Sequence, residues 1–291
     1  MANMTGTELL ELRHAVESQH SGTATLAQSV PVRETFDGKS VWEGVVHVFD
    51  LAGHPTATRA YAWSSPIEGS DKPDEVIIIG AHLDSINLLG TKDTTKAPGA
   101  DDDASGVAGL TEVLRVVAAS GYKPRRTIKL IAYAAEEVGL RGSQEIAQEY
   151  KKNGTNVVGV IQLDMTNFKG SDKDIYVFSD YTDEAQNQFL VKLVKAYLPT
   201  LTVGYDKCGY ACSDHAAWHA QGYATSMPFE SQIKKDNPRI HTSGDTLANN
   251  GGQAVHSLKF ARLAAAYAVE LGSEGAVASR VRAKPRSAER R

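Results

Sequence analysis

The chain has 291 residues, is 42% hydrophobic and 23% charged, and carries a formal net charge of −4. That length suits one large α/β domain or two small ones, and the slight negative charge gives no reason to expect a nucleic-acid or anionic-membrane partner. No apolar run approaches the roughly 20 residues of a membrane span, and residues 1–6 lack the basic and apolar regions of a signal peptide.

Residues 1–72 carry the weakest pattern. Helical periodicity is faint over 7–16, a strand is expected over 41–49, and Gly, Pro and Ser mark 64–73 as a loop. From Asp74 the pattern becomes regular. Residues 75–79 are β-branched and continuously apolar, as in a strand covered on both faces. A polar loop over 89–99 leads to a helix with Val107, Leu110, Leu114 and Val117 on one face. A second buried strand is expected over 127–134. A polar-faced helix then runs from Gly142-Ser143 to about Lys152 and stops at Asn153-Gly154. A third strand over 157–163 and a short fourth over 175–178 follow. Phe189, Leu190, Leu193, Val194 and Tyr197 form one face of a helix ending at Pro199, and Phe260, Leu263, Ala264, Tyr267 and Leu271 face a last one. Strands alternating with helices predict an α/β fold: one globular domain over 1–272, with a mostly parallel, mixed central sheet sandwiched between helices. Residues 273–291 are rich in Arg without apolar partners and are expected to be a disordered tail.

The chemistry sits at the ends of these strands, where open α/β sheets bind ligands. His82 and Asp84 follow the first strand, Glu136-Glu137 the second, and Asp164 ends the third. Asp101-Asp102-Asp103 opens a helix. Acids suit a helix N-terminus, but three in a row are better explained with a cation present. His241 follows Pro238-Arg239-Ile240. Imidazoles and carboxylates together suit a divalent metal, above all zinc. His82-Leu83-Asp84 puts two side chains on one side if the strand persists, so the carboxylate can fix the tautomer of a ligating His. Neighbours on extended backbone point to opposite sides, so of Glu136 and Glu137 one is expected to ligate and the other to act as general base. His215-Ala216-Ala217-Trp218-His219 has the spacing of a zincin pair but lacks its glutamate, and is set aside. The only cysteines, Cys208 and Cys212, fit reduced core thiols, a small disulfide ring in an oxidising compartment, or a zinc site for which no second pair exists.

Gly80-Ala81-His82-Leu83-Asp84-Ser85, Pro98-Gly99-Ala100-Asp101-Asp102-Asp103 and Ala135-Glu136-Glu137-Val138-Gly139 resemble the secreted bacterial leucyl aminopeptidases with two zinc ions. So do Gln162-Leu163-Asp164-Met165, residues 208–215, Met227-Pro228-Phe229-Glu230 and Asn237-Pro238-Arg239-Ile240-His241. Order and spacing hold from about Asp74 to Gly272, while 1–72 match poorly. The resemblance implies a zinc peptidase/phosphorylase-hydrolase-like fold. It implies His82 and Asp164 on one zinc, Glu137 and His241 on the other, and Asp102 bridging. It further implies Glu136 as general base, Asp84 behind His82, and a Cys208–Cys212 disulfide; Tyr210, which it places in the pocket, is a candidate hydrogen-bond donor to the developing oxyanion. It places Met165, Phe178, Cys208, Cys212, Met227, Phe229 and Ile240 in an apolar substrate pocket, with Ile233 and Asp236 where relatives have aromatics. The expected substrates are peptides with large apolar N-terminal residues, and the expected protein is a secreted monomer. Three alternatives stand against this: another zinc reaction on the same fold, such as glutaminyl cyclisation or carboxypeptidase cleavage; a non-catalytic binding domain; and a serine hydrolase, for which Gly-x-Ser-x-Gly is absent.

Overall fold

The computed structural model describes residues 6–20, 22–36, 39–53, 58–62, 72–90 and 94–273. The basic tail from 274 onward and residues 64–71 of the expected loop lie outside them. The chain divides into two units, Met1–Glu68 and Gly69–Arg291.

In the first unit, helix α1 (Gly6–His20) precedes strands β1 (Thr23–Phe36), β2 (Lys39–Ala52) and β3 (Arg59–Ala62), which pair antiparallel in the order β1-β2-β3. Val16, Ala24, Phe49 and Ala60 form its core, with Leu9, Leu12, Leu51 and Ala62 packed against them.

The second unit is built on the parallel strands foreseen from their apolar runs: β4 (Lys72–His82), β5 (Arg126–Tyr133) and β6 (Asn156–Gln162). With the two-residue β9 (Thr225–Ser226) they make a four-stranded sheet of order β5-β4-β6-β9, so β4 is central. A smaller sheet joins β10 (Pro228–Phe229), β7 (Ile175–Phe178) and β8 (Val203–Asp206), with β7 between the others. The β4 run is apolar at every position because both faces are covered. Ile77 and Ile79 join Val113 of α2 (Ala104–Ala119), Leu190 and Leu193 of α4 (Glu184–Tyr197), and Phe260, Leu263 and Tyr267 of α6 (Ser257–Ser273). Val76 and Ile78 pack instead with Ala147 of α3 (Arg141–Lys152) and Trp218 of α5 (His215–Ala220). The period of two along the strand thus sorts its side chains between two cores. Trp218 is fully buried and its indole N–H donates to the Tyr133 hydroxyl at 2.8 Å, so the polar edge of the ring is not left unpaired. The α/β sandwich expected from the sequence is the one observed, and β4, β5 and β6 end on a common rim.

Candidate active site

The strand ends bring their titratable side chains together, those after β5 and β6 lining a single cavity. His82 is the last residue of β4. Its ring Nδ1 lies 2.9 Å from the Asp84 carbonyl oxygen and 3.7 Å from the Asp84 carboxylate, so the carbonyl, rather than the expected carboxylate, is the close partner that orients the imidazole. The strand stops at His82, which releases the Asp84 side chain toward the neighbouring strand. There the carboxylate accepts the backbone N–H of Glu136 at 3.0 Å and of Glu137 at 3.1 Å. Those two glutamates are not on extended backbone. β5 ends at Tyr133 and the chain turns through Ala135 at φ 60°, so opposed side chains on a strand do not describe them.

Two donor groups share one residue. His82 Nε2 is 3.0 Å from Asp102 Oδ1 and 3.7 Å from Asp164 Oδ1. His241 Nε2 is 3.0 Å from Asp102 Oδ2 and 2.9 Å from Glu137 Oε2. The two sets, His82–Asp102–Asp164 and Asp102–Glu137–His241, each present ligand atoms within 4.8 Å of one another. Asp102 offers a different oxygen to each. His215 is buried and His219 exposed, and neither joins these groups.

The three consecutive aspartates have three different surroundings. Asp103 caps α2 through Gly106 N–H at 2.9 Å and also accepts the N–H of His82 at 3.0 Å, stapling the helix start to the end of β4. Gly106 permits this approach: a Cβ there would lie 2.4 Å from both Asp103 Oδ1 and the Leu163 carbonyl. Asp101 turns away from the cavity and accepts Asn167 N–H at 2.9 Å and Asn237 Nδ2 at 3.0 Å. Only Asp102 lines the cavity. Two supporting residues carried no signal in the sequence. Fully buried Asp245 accepts the N–H groups of Asp101 and Asp102, and Ser213 donates to Asp164 Oδ2 at 2.5 Å. A buried acid four residues past a histidine, and a serine after a cysteine, look like many others.

The cavity measures about 240 Å³. Beside the acids and His241, it is walled by Leu140, Met165, Met227, Phe229, Ile233 and Ile240, with Tyr210 and the Cys208–Cys212 disulfide, whose cysteines pack against that apolar wall. Of the expected pocket residues Phe178 alone is absent from the lining. It is fully buried and stacks behind Phe229, with ring centroids 4.7 Å apart, because it is the last residue of β7, which pairs with β10.

The donor chemistry fits divalent metal. Four carboxylates, Asp102, Glu136, Glu137 and Asp164, crowd one small space. Burial first, then Asp164, pushes the Glu136 carboxyl up to about 9. Burial alone would raise Asp102 too, but the hydrogen bonds from His241 and His82 outweigh it and hold the group at about 2. Glu137 Oε1 and Asp164 Oδ1 are buried with no hydrogen-bond partner among the described residues, which is costly for a carboxylate oxygen unless a cation meets it.

Three comparisons bear on this arrangement. The family pattern described as peptidase family M28 matches residues 65–266. Leucine aminopeptidase 1 of Sclerotinia sclerotiorum is 41% identical over 208 residues, 68% of this chain and 53% of that protein. The enzyme of the same name from Coccidioides posadasii is 37% identical over 210 residues, 69% of this chain and 53% of that protein. Among solved structures, the Legionella pneumophila LapA aminopeptidase superposes with a TM-score of 0.64 at 31% identity, covering 92% of this chain and 64% of that one. The chain thus spans about half the length of the curated relatives it matches.

Proposed function

The chain belongs to peptidase family M28, and from that membership we propose that it is a zinc-dependent aminopeptidase that removes large apolar residues from the N-termini of peptides. The observation that carries the proposal is the pair of donor sets joined by Asp102 in a cavity with an apolar wall. In this reading His82 and Asp164 hold one ion, Glu137 and His241 a second, and Asp102 both. Zinc, when bound, supplies Lewis-acid polarisation of the scissile carbonyl and acidifies water.

The remaining chemistry belongs to the chain. Glu136 lines the cavity and is in neither donor set; cations held beside it would favour its ionised form over the protonated one that burial and the neighbouring acids impose, and its carboxylate is then free to take a proton from water and return it to the leaving amine. The Asp84 carboxylate holds the backbone of Glu136 and Glu137 together, so base and ligand keep a fixed relation. Tyr210, exposed at the rim, donates to the developing oxyanion. The acids lining the cavity favour a free amine over a blocked one, which restricts cleavage to the terminal residue. Met165, Met227, Phe229 and Ile240 receive the side chain. Secretion is part of the same proposal, supported by a disulfide that persists in oxidising compartments.

The test is release of 4-nitroaniline from leucine 4-nitroanilide by the zinc-loaded protein, with metal content measured in parallel. Activity lost on chelation and restored by zinc is expected. A metal-free active protein, or equal cleavage of the N-acetylated substrate, overturns the reading.

A further inference from the structure

Five carboxylates line the cavity: Asp102, Glu136, Glu137, Asp164 and Asp236. Four have been given work as ligands or base. Asp236 is the fifth: it belongs to neither donor set, and it lines the same cavity as Met165, Met227, Phe229, Ile233 and Ile240. We propose that Asp236 makes the cavity a site for peptides beginning with a long cationic residue, whose methylene stem lies on the apolar wall while its charged head meets the Asp236 carboxylate. This inference rests on the aminopeptidase reading and narrows its substrate class.

Four observations support it. First, among the described residues no lysine or arginine lines the cavity and no ion pair involves Asp236. Its neighbours Lys234 and Lys235 are exposed and outside the lining. Second, Asp236 is half-buried, and burial first, with Asp102 adding repulsion, raises its carboxyl above the usual range. A half-desolvated carboxylate without a cation is an unfavourable thing to place beside an apolar side chain, and a favourable one to place beside an ammonium. Third, its position is fixed rather than loose. The next residue, Asn237, is buried, with its N–H 3.3 Å from Glu230 Oε1 and its amide 3.0 Å from Asp101 Oδ2. Three residues earlier, Ile233 N–H donates to Asp206 at 3.0 Å. Fourth, the wall suits an unbranched stem: two of its members are methionines, whose flexible thioethers adapt to linear chains. A lysine side chain is such a stem with a polar tip. An acidic side chain would meet Asp236 as a like charge and be excluded.

The experiment compares lysine 4-nitroanilide with norleucine 4-nitroanilide, which has the lysine stem without the ammonium, on zinc-loaded wild type, Asp236→Asn and Asp236→Glu. The wild-type ratio of kcat/KM, lysine over norleucine, is expected to fall about five- to tenfold in Asp236→Asn, the scale of a charge-assisted contact at a half-exposed site. The fall should lie mainly in KM, and Asp236→Glu should restore much of it. The same ratio in wild type and Asp236→Asn overturns the inference. If neither substrate is turned over, the activity reading fails on its own account. Calorimetric titration with lysine amide and norleucine amide then decides the inference by the same comparison of wild type with Asp236→Asn: an affinity ratio that does not change overturns it.

Discussion

Replacing Asp245 by Asn is a severe test of how this site is held, because the substitution preserves shape and touches no proposed ligand side chain. The Asp245 carboxylate accepts Asp101 N–H at 3.1 and 3.2 Å, Asp102 N–H at 3.1 Å, Asn237 Nδ2 at 3.2 Å and Asn250 Nδ2 at 3.0 Å. Its backbone carbonyl takes Ala100 N–H at 3.1 Å. Asparagine keeps one accepting oxygen and turns the other into a donor. If Oδ2 is replaced, Asp102 N–H is orphaned; if Oδ1 is replaced, the amides of Asn237 and Asn250 each lose that partner. One buried donor left unpaired costs about 1–3 kcal/mol, and the surviving bonds lose their charge assistance, at up to about 1 kcal/mol each. Against this, removing a charge relieves the repulsion that Asp245 exerts on Asp101. The net expectation is a loss of about 2–4 kcal/mol, a sizeable part of the 5–15 kcal/mol typical of native proteins. Urea unfolding of the chelator-treated protein reads that loss, with zinc competition against a chromophoric chelator in parallel. Because the turn carrying Asp102 loses its tether, zinc affinity should drop about 10- to 100-fold. Stability within about 0.5 kcal/mol of wild type, with unaltered zinc affinity, would refute the reasoning.

Other expectations follow from the same geometry. Glu136→Ala should lower the turnover rate at least ~10²-fold while leaving zinc content unchanged; metal loss with retained turnover would exchange its role with that of Glu137. Burial of a leucine side chain on the apolar wall contributes roughly 1.5–3 kcal/mol. It should therefore favour leucine over alanine substrates by about one to two orders of magnitude in kcat/KM, and a flat profile, or fastest release of acidic residues, would contradict that wall. Cys208 and Cys212 should resist thiol reagents until reduced. Their separation of only four residues makes the loop-entropy contribution small, so reduction should raise KM for leucine substrates more than it lowers Tm.

The parts legible in the sequence were those with a long local signal. β4 and β6 are β-branched because both their faces are covered, and that pattern, with the apolar residues of β5, exposed His82, Glu136-Glu137 and Asp164 as strand-end residues; β5 itself, expected to be buried, ends the sheet order and leaves Lys129 exposed. The helices α4 and α6 showed most of their apolar faces for the same reason, although Tyr197 of α4 is exposed; on α2 the expected face is corrected, since Leu114 is exposed and Val113 is buried in its stead. What stayed hidden was set by contacts distant in sequence or by single dihedral angles. The positive φ at Ala135 undid the expectation of opposed glutamates. The stop of β4 at His82 sent the Asp84 carboxylate to Glu136 and Glu137. The three aspartates at 101–103 are alike as letters and unlike in surroundings, and only packing separates them. β9 and β10 have two residues each, too few for any period to register. β1 is long, but small and polar residues with Pro31 inside it blur the alternation that the 41–49 run displays.

The five proposed ligand residues come from five separate stretches of chain, and even the two nearest in sequence, His82 and Asp102, are 20 residues apart. A short finger with ligands two to four residues apart can capture its metal while the rest of the chain is still random. Here an ion meeting the unfolded chain would have to close several long loops at once, each with its own entropic penalty. Zinc therefore has nearly all its affinity for the finished sheet and almost none for the unfolded ensemble. That asymmetry turns the ion into a thermodynamic ligand of the native state: at a thousandfold excess over Kd it would add about 4 kcal/mol to unfolding. The melting temperature of this protein should then rise with the logarithm of free zinc, so that its thermal stability reports the metal supply of the compartment it inhabits.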